Sequence, residues 1–128
     1  MDLNLLRRIA KERLREDLVA KGVGIYRKEL GAEIRFSMVG VKECINQPFC
    51  LYVDKINLLI DGLEEALANA LHLGFTDYQT HPKSHVLGYH YFETKIGGET
   101  AYFNIQVTVQ KQYFLYSITE KLHWETPK

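Results

Sequence analysis

The chain has 128 residues, 46% of them hydrophobic and 25% charged, the mixture of an ordinary globular domain. That composition excludes disorder and collagen, and no run of 18 apolar residues exists to span a bilayer as a helix. Sixteen basic residues balance 16 acidic ones, which argues against a protein that coats nucleic acid without specificity.

The neutral total hides an asymmetry. Residues 1–28 carry eight basic groups against four acidic ones, so the remainder is acidic by the same margin. Leu3, Leu6, Ala10, Leu14 and Leu18 fall at helical spacing, with Asp2 as a cap and Gly22 as a stop. A basic amphipathic helix over 1–22 is expected, on a body that forms one domain with it over 1–128. Its start, MDLNLLRRIAKERLRED, lacks the apolar centre of an export signal. Cys44 and Cys50 have neither a zinc nor a redox spacing. A cytoplasmic protein with reduced thiols is therefore expected.

Residues 23–32 hold two glycines, Gly24 and Gly31, and carry no clear pattern. Ile34, Phe36 and Met38 alternate with other residues, which predicts a strand at about 33–39. GVKECINQPF, residues 40–49, begins like a helical turn that Pro48 stops. From Asp54 to Leu73 a wide apolar stripe predicts one long central helix. After Gly74 the period becomes two. Residues 86–96, 100–109 and 113–119 read as three antiparallel strands, the first pair joined at Gly97-Gly98. In the middle strand Phe103, Ile105 and Val107 face one way; Tyr102, Asn104 and Gln106 face the other. The expected class is α+β: an N-terminal and a long central helix on one face of a mostly antiparallel sheet of three to four strands, ending in a meander.

His81, His85 and His90 are close in sequence, but no nearby cysteine completes a zinc shell, and no metal is expected. There is no G-x-S-x-G elbow and no phosphate-cradling loop. Turn length decides where His90 points. A two-residue turn at Gly97-Gly98 pairs His90 with Ile105, on the core side. A three-residue loop pairs it with Gln106, on the polar side.

The run IRFSMVGVKECINQPF, the long helix, His81-Pro82, GYHYFETKIGG, AYFNIQVTV and YFLYSIT follow one another in a suggestive order. Over about residues 33–120 this resembles the phage and mobile-element branch of the barnase–EndoU–colicin–RelE ribonuclease superfamily, nuclease-like domains often embedded in larger polyvalent proteins. The resemblance implies cofactor-free, metal-independent RNA cleavage, in which the ribose 2′-OH attacks the adjacent phosphate. It assigns proton transfer to His90 and phosphorane stabilisation to Lys42. Ser117 or Thr119 would hold the phosphate or orient the base. Substrate contacts are expected from Tyr102 and Asn104 on the polar strand face, and from Arg8 and Arg15 on the basic helix. The alternative expectation is a non-enzymatic binding or immunity module that holds a protein partner on the open sheet face.

Overall fold

The computed structural model describes residues 2–77 and 85–122. Helix α1 spans Leu3–Leu14 and runs on into a π-helical turn, Arg15–Val19, so the expected first helix is present. Asp2 caps it by accepting a hydrogen bond from the Leu5 N–H at 3.2 Å. The glycine-bearing stretch that follows is a hairpin of two short strands, β1 (Ile25–Arg27) and β2 (Ala32–Arg35). The strand expected over 33–39 is cut short. Ser37 Oγ accepts from the Gly40 N–H and caps α2 (Met38–Asn46), which draws Met38 and Val39 into the helix.

The single helix expected over 54–73 is two helices, α3 (Tyr52–Ile60) and α4 (Leu63–Asn69). The chain breaks at Asp61, which is extended, and at Gly62, whose φ of 124° suits a residue without a Cβ. Arg13 of α1 bridges the break. Its Nε donates to Ile60 O at 2.8 Å, and its Nη2 to both carboxylate oxygens of Glu64. The apolar stripe survives because Ile56, Leu59, Leu63 and Leu67 are all fully buried on the same side.

Leu71 to Leu73, read from sequence as the helix end, instead opens strand β3 (Leu71–Asp77). It is followed by β4 (Val86–Ile96), β5 (Glu99–Thr108) and β6 (Tyr113–Thr119), the expected meander. The six strands lie in the order β1-β2-β6-β5-β4-β3, antiparallel except for a short parallel joint between β2 and β6. The sheet curls so far that Arg27 of β1 lies over the Phe92 ring of β4, 4.6 Å from its centroid. All four helices pack on the inner face of this curl, where their buried residues join Ile34, Phe92, Phe103, Ile105 and Ile118. Helix α2 lies closest: a Cβ added at Gly40 would stand 1.9 Å from Leu115 O of β6. The α+β class is thus as expected, with more strands and a broken central helix. No helix among the described residues is long and apolar enough to cross a membrane.

Candidate functional site

The turn between β4 and β5 has two residues. Gly97 and Gly98 take φ of 60° and 83°, the left-handed pair that a tight hairpin demands. Ile96 therefore pairs with Glu99, Phe92 with Phe103, and His90 with Ile105. That register turns His90 to the inner face. It sends Tyr102, Asn104, Ser117 and Thr119 to the outer face, since Asn104 pairs with Ser117 and Tyr102 with Thr119. Lys42 lies on the exposed side of α2, among the helices of the inner face. The residues expected to share one groove are thus divided between the two faces of the sheet.

On the inner face His90 meets a residue that the sequence reading did not single out. His72 of β3 brings its Nε2 to 2.9 Å from His90 Nδ1, so one imidazole donates and the other accepts. Phe75 packs on His90 with ring centroids 4.9 Å apart, and Tyr113 lies at 5.9 Å. Burial pushes His90 down to about 4, and the neighbouring His72 adds to the shift. Burial also lowers His72, against the pull of Glu29. At neutral pH this is an uncharged pair. It can accept a proton or hydrogen-bond a ligand, but it is a poor proton donor to a leaving group. Beside it Arg27 is buried, donating to Leu67 O at 2.9 Å and Ala70 O at 2.6 Å, and pairing with Glu29 at 3.0 Å. That bond to Arg27 holds the Glu29 carboxyl below its ordinary range.

The outer face does gather part of the expected set. Asn104 Nδ2 donates to Ser117 Oγ at 2.8 Å and to Thr119 Oγ1 at 3.1 Å, while its Oδ1 is buried without a partner among the described residues. A bulge in β6 inserts Tyr116 next to this cluster, 5.7 Å from the Tyr89 ring. Gln106 Nε2 donates to Tyr89 Oη at 3.3 Å. Tyr91, Asn104 and Ser117 at the centre are buried. Tyr91, which pairs with Asn104, has its phenol pushed up by that burial.

The basic helix divides by role. Arg8 and Arg15 are exposed, Arg15 standing 3.9 Å from Glu16. Their neighbours are structural: Arg7 donates to Tyr52 Oη at 2.9 Å, and Arg13 ties α1 across the break between α3 and α4. Lys55 was also unforeseen. It is fully buried, donates to Gln47 O at 2.6 Å beyond the end of α2, and lies over the Tyr52 ring. Desolvation lowers it to about 8. Nothing in an alternating or helical pattern marks a buried lysine or arginine, because both residue types normally point outward.

Of the clustered histidines, His81 lies outside the described residues and His85 is exposed. Among the described residues no group of three His, Cys, Asp or Glu side chains could hold a metal. Both cysteines are free thiols, Cys44 buried and Cys50 exposed.

The chain finds no match among curated proteins or solved structures. The polyvalent-protein half of the resemblance drawn from the sequence has independent support, and the ribonuclease half has none. A family model matches residues 1–116, nearly the whole chain, and the protein belongs to that family, large polyvalent protein-associated domain 3.

Proposed function

We propose that this domain is a non-enzymatic binding module of a larger, mobile-element protein, and that it holds a protein partner on the outer face of its sheet. The observation that carries this reading is the β4–β5 register. It separates His90 from Asn104, Ser117 and Thr119 by the thickness of the sheet. His90 therefore shares no groove with the hydroxyls expected to hold the phosphate or orient the base. The outer face sets half-buried Tyr89, Tyr102, Tyr116 and Gln106 around a buried centre of Asn104 and Ser117. Tyrosine with small amides and hydroxyls is the chemistry of protein-recognition surfaces: rigid aromatic area beside adaptable hydrogen bonding. Glu93 and Lys95 of β4 and Glu33 and Arg35 of β2, the latter two paired at 2.9 Å, leave this face with balanced charge, a poor match for a phosphate backbone.

A second reading, metal-independent RNA cleavage, draws on the His72–His90 pair. In that reading Lys42 steadies the phosphate, and Arg8 and Arg15 supply the local positive field.

Two measurements on the isotope-labelled domain separate these readings. Overlapping peptides from the parent polypeptide are titrated while backbone amide shifts are followed. Binding should move β5 and β6 amides and be lost in Tyr102→Ala. A mixed-sequence RNA incubated with the domain in excess chelator should stay intact. Cleavage that disappears in His90→Ala would overturn the binding-module reading in favour of the nuclease.

A further inference from the structure

The sheet has two edges, and they are built differently. The β1 edge is three residues long and carries Arg27, whose guanidinium is fully engaged. A short edge of this kind resists pairing with another chain. The β3 edge is seven residues long, Leu71–Asp77, and among the described residues it pairs only with β4. It has no lysine, arginine or proline, the usual guards of an exposed edge. Among the described residues its guards are the bulge between His72 and Gly74 and the charged Asp77 at its end. Two of its large apolar residues are exposed, Leu71 at 60% and Phe75 at 43%.

We propose that β3 is the strand through which two copies of this domain associate, edge to edge and antiparallel across a two-fold axis. A strand at the end of a sheet offers alternating N–H and C=O groups along its outer edge, and an identical strand in antiparallel orientation satisfies both ladders at once. The charge pattern favours a second copy. The strand's one acidic group, Asp77, lies at its end. Antiparallel pairing sets the two Asp77 side chains at opposite ends of the joint, so no like charges meet. The same pairing covers exposed Leu71 and Phe75 in both copies, the isologous pattern of a two-fold interface. A single pair of seven-residue strands buries less than a permanent dimer needs, so the association is weak and concentration-dependent.

Sedimentation velocity on the full chain, from about 10 µM to about 1 mM, spans the range where such small interfaces form. The mean mass should rise from 14.9 kDa toward twice that value. Hydrogen exchange at the two ends of the range should show β3 amides gaining protection on association. Phe75→Lys and, separately, Leu71→Asp, which sets a second carboxylate opposite Asp77 of the other copy, should hold the protein at the monomer mass with unchanged circular dichroism. Tyr26→Lys on the exposed β1 edge should associate like the parent. A monomer mass at every concentration overturns the proposal. So does association that leaves β3 exchange unchanged, which assigns it to another surface.

Discussion

Arg27→Ala tests whether one side chain holds the two ends of the curled sheet together. The Arg27 guanidinium donates to Leu67 O and Ala70 O, the last carbonyls of α4, and stacks on Phe92. Each hydrogen bond from a charged donor to a buried carbonyl contributes about 1.5–3 kcal/mol, and truncation leaves both carbonyls unmet. Loss of the cation–π contact removes about 0.5–2 kcal/mol more. The pair with Glu29 adds little, because that carboxylate side chain is 29% exposed and solvent screens it. Some relaxation and water entry offset these losses, so the net cost should be about 3–5 kcal/mol, the usual penalty for breaking a buried charged contact. For a domain of this size that is a melting-temperature drop of roughly 10–18 °C. Arg27→Lys keeps the charge but not the planar fork, and should fall between the parent and alanine. Thermal unfolding by circular dichroism, with urea midpoints and slopes, supplies the readout. A melting temperature within about 2 °C of the parent in Arg27→Ala would refute the reasoning.

Three further perturbations probe other parts of the fold. Leu67→Ala empties a fully buried site on α4 and should cost about 2–5 kcal/mol in urea unfolding, without changing the slope. Gly40→Ala places a methyl 1.9 Å from Leu115 O, so α2 must lift from β6. A loss of at least about 1–3 kcal/mol is expected, against the small gain alanine gives on an exposed helix. The histidine pair makes stability depend on pH in a defined direction. His90 binds its proton only near 4 in the fold, but near its ordinary value of 6.5 when unfolded. Stability is therefore complete above about pH 6.5 and declines as pH falls toward 4. His72 acts in the same sense. The urea midpoint should drop between pH 7 and pH 5 in the parent and drop less in His90→Phe; equal drops would contradict the assignment.

Much of this fold was legible in the residues. The alternation in β4, β5 and β6 and the paired glycines at 97 and 98 dictate a meander, and the stripe from Leu3 to Leu18 dictates a helix. The break at Asp61-Gly62 was hidden because apolar spacing keeps the same face on both sides of it. Strand β3 was hidden because Leu71 and Leu73 extend a helical stripe as readily as they alternate around His72. The outer-face group of Asn104, Ser117 and Thr119 follows from strand parity alone. The inner group does not. His90 needed the turn length to be fixed, and His72 and Arg27 come from distant elements. Arg7 and Arg13 look in sequence like members of one solvated basic face. Only the placement of Tyr52, Ile60 and Glu64 turns them into packing residues.

The parallel joint between β2 and β6 consists of two residue pairs, Ile34 with Tyr113 and Arg35 with Phe114. Every helix after α1, and the rest of the meander, lies in the chain between those partners. Closing so long a loop carries an entropic cost that grows with its length, and two pairs of a parallel ladder return little of it. The hairpins β3–β4, β4–β5 and β5–β6 join neighbours along the chain and close at far lower cost. The sheet is therefore expected to assemble locally as a four-stranded unit, with the β1–β2 hairpin added late, an order that pulse-labelling hydrogen exchange during refolding checks.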